Sequence, residues 1–424
     1  MVTTEQSPTQ RVLAPLDDIL PGLEALYEDV HAHPELSMEE TRTAGLAAAR
    51  LRDAGWEVTT SVGGTGVVGV LRNGEGPTVM LRADMDALPV KEETGLDYAS
   101  TVEARGTGGE TVPVMHACGH DMHVAWLAGT VDLLARTRDA WRGTVLAVFQ
   151  PGEEIAAGAR AMIDDGLLDR FPKPDVVLGQ HVMVGSAGTI GGRSGVVTSA
   201  ADNLEIRLFG RGAHGSMPQA AIDPVVMAAA TVMRLQTIVS RELAAAEAAV
   251  VTIGSLRAGT KANVIPDEAV IELNVRTFDE GVRRRVLDAI ERIVCAEAAA
   301  SGAPRRPQIE TLDRYPLVTN DPEAAHRVGE AFRQYFSAER VRTTGPAPAS
   351  EDFGSFGAQW NAPSVFWFVG GTDPETYARA RSAGRINELP TNHSPRFAPV
   401  IHPTLETGVE AMVAAALAWL APEA

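Results

Sequence analysis

Between Val79 and Gln180 the chain keeps switching its hydrophobic period, and that alternation restricts the fold more than any other feature. A strand-like run from Val79 to Ala83 is followed by a helical stretch (Ala125 to Arg136), an apolar strand (Thr144 to Gln150), a helix (Ala157 to Asp165) and a second apolar strand (Val176 to Gln180). Alternation of this kind argues for a layer of largely parallel strands with helices on its faces. The expected class is therefore α/β, a mostly parallel sheet flanked by helices. Aromatic residues are only 5% of the chain, which leaves the core to aliphatic side chains and Ala, as helices packed on a sheet allow. An earlier run, Val67 to Leu71, is separated from Val79 to Ala83 by the turn signal Asn73-Gly74, so the two read as neighbouring strands. Ser37-Met38-Glu39-Glu40 matches a capping box, with Ser37 as N-cap of a helix of roughly four turns that Gly55 closes.

The pattern changes near Ser199. An alternating strand (Asn203 to Phe209), a helix (about Pro224 to Arg241), strands near Val250 to Ile253 and Ala269 to Val275, a helix (Glu280 to Ala300) and a short strand (Gln308 to Thr311) give the β-α-β-β-α-β order of a ferredoxin-like unit. At 424 residues the chain is longer than one hydrophobic core usually serves. The expected organisation is a first domain over 1–198, a smaller α+β insert over 199–316, and a return to the first domain over 317–424.

Acidic residues outnumber basic ones 55 to 37, for a net charge of -18, so the overall field repels phosphate backbones and anionic bilayers. Neither nucleic acid nor a membrane is expected as a partner, and no apolar run is long enough for a membrane span. The polar stretch Met1 to Gln10 lacks the pattern of a secretory signal, and Pro422-Glu423-Ala424 is no targeting motif, so the expected address is cytoplasmic. Two cysteines, Cys118 and Cys295, are too few for a disulfide scaffold.

The densest group of metal-binding side chains is Met115-His116-Ala117-Cys118-Gly119-His120-Asp121-Met122-His123. Cys118 and His120 offer a thiolate and an imidazole to one ion if Gly119 keeps the segment turning. A helical reading instead groups His116, His120 and His123 on one face and turns Cys118 away. Glu153 and Glu154 follow an apolar strand and a Pro-Gly turn. There one carboxylate can bind a metal while its neighbour takes a proton from water, although adjacent surface glutamates are usually only charge. Asp84 and Asp86 also follow a strand, as ligands or as groups that orient imidazoles. His181 closes an apolar strand and His393 lies in Thr391-Asn392-His393-Ser394-Pro395. With Cys118, His120 and Glu154 they make five donors, enough for two ions. His31 and His33 precede a helix start and read as structural; Cys295 reads as core; His326 and His402 have no partner in sequence.

Seven runs then carry a resemblance: Leu81 to Pro89, His116 to His123, Phe149 to Glu154, Gly210 to Pro218, Ala262 to Ala269, Ser350 to Phe353 and Asn392 to Phe397. Together they resemble the dinuclear metal amidohydrolases related to aminoacylase and glutamate carboxypeptidase, in particular the branch of hippurate hydrolase, N-acyl-amino-acid amidohydrolase and the indole-acetyl-amino-acid hydrolases. The resemblance spans nearly the whole chain. It implies Cys118, His120, Glu154, His181 and His393 as ligands of two divalent ions (zinc, manganese, cobalt or nickel), with Glu153 as general base. Cys118 then stands where the broader family has a bridging Asp, and Asp84 where it has a metal-binding His; Asp84 and Asp86 are kept as supporting residues. The insert is implied to be a lid that pairs two copies into a homodimer and supplies His214. In its Gly-rich turn that imidazole is free to donate to an oxyanion. Asn263 and Arg276, next to strands of the insert, are candidates to hold a substrate carboxylate. The implied reaction is hydrolysis of an N-acyl amino acid or related amide, with a dipeptidase or exopeptidase, or a metal-dependent binding protein, as alternatives.

Overall fold

In a computed structural model of the chain, which describes residues 6–106 and 108–422, the contacts divide into two compact units. One comprises 1–197, 319–346 and 352–424, and the other 198–318 with 347–351. The residues on which the targeting expectation partly rests, Met1 to Glu5 and Glu423 to Ala424, lie outside the described residues.

The first unit is built on an eight-stranded sheet. Its order across the sheet is Glu57–Val62, Gly66–Asn73, Gly143–Gln150, Thr78–Asp84, Val176–Ser186, Ser364–Thr372, Ile190–Gly192 and Val341–Thr343. Thr78–Asp84 runs parallel to Gly143–Gln150 and to Val176–Ser186, which is parallel to Ser364–Thr372. The first three strands pair antiparallel with one another. The sheet is thus parallel at its centre, and its central strands are buried along nearly their whole length, as strands covered on both faces must be. One expectation is corrected here. The strands on either side of Asn73-Gly74 are not neighbours, because Gly143–Gln150 lies between them and pairs with both. A strand buried on both faces gains most in the middle of a sheet. The Asn73 amide stabilises the arrangement by donating to the carbonyls of Arg138 and Trp141, on the chain leading into the inserted strand.

Helices Leu16–Ala32, His120–Arg136 and Ile401–Leu420 cover one face and share its apolar core. Their approach is close: a Cβ at Gly408 would lie 2.0 Å from the Trp126 ring, so only glycine fits there, and the Trp126 indole donates to the Thr404 carbonyl at 3.0 Å. The helix after Glu40 spans Thr41–Asp53, and the capping box is not formed. Ser37 Oγ donates instead to Asp86 at 2.6 Å, and Glu40 accepts from the amides of Met38 and Gly152. A helix cap exchanges one local hydrogen bond for another, whereas these contacts satisfy buried carboxylates, which cost more to leave unpaired.

The second unit has a four-stranded antiparallel sheet in the order Ala249–Ala258, Glu268–Thr277, Ala200–Phe209, Gln308–Tyr315, with helices Pro224–Thr237 and Glu280–Ala300 packed on it. This is the ferredoxin-like arrangement. Cys295 is only half-buried on the second helix, outside the core, because that helix turns mainly Val286, Ile290, Ile293 and Val294 inward. The unit also buries a charge: Asp202 accepts from Arg283 Nε and Nη2 at 2.8 and 2.9 Å and from Arg314 Nε at 2.9 Å. Removing Asp202 leaves the buried Arg283 with only the exposed Glu280 as an ion-pair partner among the described residues. Asp202→Ala should therefore cost about 3–5 kcal/mol in urea unfolding of the full chain. A loss below about 1 kcal/mol would mean that the two arginines relax into water.

Candidate active site

The polar side chains of the first unit converge beyond the carboxyl end of Thr78–Asp84, where open α/β sheets place their ligand sites. Gly119 sets the geometry. It takes φ +84 and caps the helix that begins at His120, and a Cβ there would lie 2.4 Å from Val182 Cγ1. The left-handed turn keeps Cys118 off the helix and His120 on its first turn, so both face the same space. His116 stays in the preceding turn, which removes the three-histidine helix face.

Two trios of donor atoms share the Cys118 thiol. Cys118, His120 and His181 place one donor atom each within 4.8 Å of one another, as do Cys118, Glu154 and His393. His120, Glu153 and Glu154 form a third such group. The Cys118 Sγ to His181 Nε2 distance is 3.5 Å, and His393 Nε2 lies 3.3 Å from Glu154 Oε2. His181 does not end its strand, which continues to Ser186. It lies past the last residue of that strand paired to Thr78–Asp84, Gly179, and so at the same edge of the site. His393 adopts φ +70, rare for a residue with a Cβ, and is pinned by its amide, which donates to the Ala117 carbonyl at 2.8 Å.

The hydrogen bonds fix which nitrogen each imidazole presents. His120 Nδ1 donates to the Asp86 carbonyl at 2.9 Å and lies 3.1 Å from its carboxylate, while His181 Nδ1 donates to the Val182 carbonyl at 2.7 Å. Both rings thus turn an Nε2 lone pair into the site. His120 Nε2 and Glu154 Oε1 are buried without any hydrogen-bond partner among the described residues. Orphaned acceptors of this kind, beside a thiol and further carboxylates, suit divalent cations. His123 is different: its Nδ1 donates to Asp84 at 2.5 Å and its Nε2 accepts from the Val182 amide at 2.9 Å, so neither nitrogen is left for an ion.

Electrostatics agree. Burial pushes the Cys118 thiol far up, and Glu154, Glu153 and Asp84 raise it further. Burial works against protonating His120, yet Asp84, Asp86 and Glu154 raise it to about 10. Protons are held there by surplus negative charge, and cations displace them.

The supporting roles expected of Asp84 and Asp86 depend on partners that are not apparent from local sequence. Asp86 accepts from Ser37 and from the Glu154 amide in addition to His120. Asp84 pairs with the buried guanidinium of Arg82 at 2.6 Å, and Arg82 also donates to Gln150 and Asp352. Asn392 donates to the carbonyls of Cys118 and Val182, joining the His393 loop to both ligand segments. The signal that could have found Arg82 is a charge within an apolar strand, which requires a partner. His31 is buried between Asp121 and Glu92, at 2.6 and 3.1 Å, away from the candidate ligands. His33 is an exposed neighbour of Asp29, and His402 pairs with Glu406 and Glu24.

In the second unit, a two-strand ribbon joins Ala213–His214 to Val264–Ile265, and the Gly215 amide donates to the Asn263 carbonyl at 2.8 Å, so His214 and Asn263 come together. His214 is exposed, and its Nδ1 accepts from the Ser216 amide at 3.1 Å; the neutral ring therefore carries its proton on Nε2, free to donate. Arg276 donates to Asn274, to the Pro348 carbonyl and to Ser350, all neutral oxygens.

Residues 80–391 match the family model of peptidase family M20/M25/M40. The hippurate hydrolase of Campylobacter jejuni is 37% identical over 342 residues, 80% of this chain and 86% of that protein. Thermostable carboxypeptidase 1 of Saccharolobus solfataricus is 36% identical over 346 residues, 80% and 84% of the two chains. Among solved structures, a dinuclear metal binding peptidase of the M20 family from Bacillus subtilis is similar at a TM-score of 0.73 and 30% identity, covering 95% of this chain and 99% of that one.

Because Asp86 orients His120 and the Glu154 amide at once, Asp86→Ala should weaken metal binding by about 10–100-fold, as loss of such outer partners does elsewhere. Competition with a chromophoric chelator measures this. Unchanged affinity would show that the two ligands hold their places without Asp86.

Proposed function

The chain belongs to peptidase family M20/M25/M40, and from that premise we propose how its residues work as a metal-dependent amidohydrolase that cleaves N-acyl amino acids or related amide conjugates into a carboxylic acid and an amino acid. The observation that carries this is the pair of donor trios sharing Cys118, with Glu153 beside them. In this reading Cys118, His120, Glu154, His181 and His393 hold two divalent ions, with zinc, manganese, cobalt and nickel all compatible with a donor set of imidazole, carboxylate and one thiolate. Bound there, such ions acidify water and draw electrons from the amide carbonyl. Glu153, buried and next to Glu154, takes the proton of the attacking water on its carboxylate and returns it to the leaving nitrogen. Asp84 and Asp86 hold the ligands in register.

His214 donates its Nε2 proton to the developing oxyanion, and Asn263, whose carbonyl accepts from the Gly215 amide next to His214, helps to hold the substrate carboxylate. Arg276, whose acceptors are all neutral, keeps a positive charge for the substrate carboxylate. The second unit, the insert expected at 199–316, then acts as a lid and as the dimer contact. Its strand Ala249–Ala258 is a sheet edge, and its helix Pro224–Thr237 exposes Val226 and Met233 at 64% and 71%, a face suited to a second copy. No helix among the described residues is long and apolar enough to cross a membrane. A reducing cytoplasm, which keeps the Cys118 thiol available, fits the reading. The carboxypeptidase relative favours one further reading, cleavage of a peptide's last bond; a panel of N-acyl amino acids against dipeptides decides between them.

Glu153→Gln should retain metal while kcat falls about 10²–10⁴-fold, the span of general acid–base catalysis. Glu154→Gln should lose metal. Elemental analysis beside kinetics tests the assignment, and the reverse pattern would exchange the two roles.

His214→Ala should lower kcat by about 10²–10³-fold, as loss of one oxyanion donor does, with metal content intact. Mixing His214→Ala with Glu153→Gln chains then distinguishes the source of the imidazole. Recovery of up to about half the wild-type rate per mixed dimer means that a second copy supplies it, and no recovery means that the same chain does. Unchanged kinetics in His214→Ala would remove the histidine from the reaction.

A further inference from the structure

A cavity of about 460 Å³ in the first unit is bounded by helix Pro322–Tyr335 on one side and strands Ile190–Gly192, Val341–Thr343 and Ser364–Thr372 on the other. None of its lining residues belongs to the metal centre. The volume falls within the range that encloses a small organic molecule. Its floor is apolar, with the Phe332 and Trp367 rings edge to face at 5.3 Å. Its rim is basic: Arg193, Arg333 and Arg342 line it together with His326, and no Asp or Glu among the described residues does.

That rim inverts the sign of the molecule, whose net charge is -18. Arg333 is shared with Glu330 on its own helix. Arg193 and Arg342, in contrast, form no ion pair among the described residues, and the one hydrogen bond from the Arg193 guanidinium runs to the Ser194 carbonyl at 3.3 Å. Guanidinium groups with unspent donors match the two oxygens of a carboxylate, and the aromatic floor matches an apolar body. A phosphate dianion would have to shed more hydration over the same floor.

We infer that this cavity binds a monocarboxylate with an aromatic or branched aliphatic tail, one per chain, at a place separate from the metal centre. An acid of this class is also what the proposed hydrolysis releases, but the site rests on its own lining.

The test is calorimetric titration of the metal-loaded, full-length enzyme with phenylacetate, and with 2-phenylethanol as its uncharged counterpart. Two variants address the two halves of the argument. Arg193→Gln with Arg342→Gln removes the charge. Gly329→Leu fills the space: Gly329 lines the cavity, and a Cβ there meets only the end of the flexible Arg333 side chain, at 3.4 Å, so the substitution is sterically allowed. Phenylacetate binding to the wild type should weaken at least tenfold in both variants, with kcat/KM for an N-acyl amino acid at low product unchanged. Phenylacetate binding that is unaltered in either variant would overturn the site. So would 2-phenylethanol binding as tightly as the acid, or a loss of phenylacetate binding that kcat/KM follows in proportion.

Discussion

The carboxylate of Asp86 is the contact on which the geometry of the centre depends. It is fully buried, and three separate segments meet on it: the Ser37 hydroxyl, the amide of Glu154 and the ring of His120. Burial works against its charge, but the His120, Ser37 and Glu154 donors outweigh that cost and hold the carboxyl below its ordinary range. An ionised, fully engaged carboxylate has little freedom to move, so the two candidate ligands it touches inherit its position. Asp84, two residues earlier, does the same on the other flank through Arg82 and His123. His123 carries the restraint onward to the Val182 amide, next to His181.

This arrangement concentrates negative charge where water is scarce. Asp84, Asp86, Glu153 and Glu154 surround one thiol and two imidazoles, and Arg82, on the far side of Asp84, brings a fixed positive charge to the same network. Burial and these carboxylates push the Cys118 thiol up, and Asp84, Asp86 and Glu154 raise His120 against its burial. The orphaned Nε2 of His120 and Oε1 of Glu154 are the structural counterpart of that imbalance. Buried polar atoms are normally satisfied because the alternative is costly, and these two lie beside the thiol and carboxylates that could share an ion with them.

The sequence was most legible where a local pattern determines a local result. The change of period that separates strand from helix located the strands whose ends carry Asp84, Glu153 and Glu154, and the glycine between Cys118 and His120 correctly marked a turn, now seen at φ +84. It was least legible where a contact joins distant segments. Ser37 looks like a helix cap because Glu40 stands three residues on, yet its partner, Asp86, is 49 residues away. The runs either side of Asn73-Gly74 read as neighbouring strands, yet a strand from residue 143 onward lies between them. Asn392 has no signature beyond its type, and the position of Arg82 within an apolar strand signals a partner without naming it, because what they do depends on carbonyls and carboxylates that only the fold brings near.

The pair formed by Cys118 and His181 shows why the metal reading is preferred to a thiol nucleophile. At 3.5 Å the two resemble a cysteine and its base. A nucleophilic cysteine needs a positive surrounding that favours its thiolate and an imidazole able to carry the proton it takes from the thiol. Here the far nitrogen of His181 donates to a peptide carbonyl, that of Val182. Burial and the neighbouring His123 disfavour a charge on the ring. Around the thiol stand Glu154, Glu153 and Asp84, which oppose a thiolate. Only a cation placed among these donors reverses both effects together: it makes the thiolate favourable and leaves the imidazole neutral with its lone pair engaged. The same carboxylates that disable Cys118 as a nucleophile are therefore what suit it to bind metal.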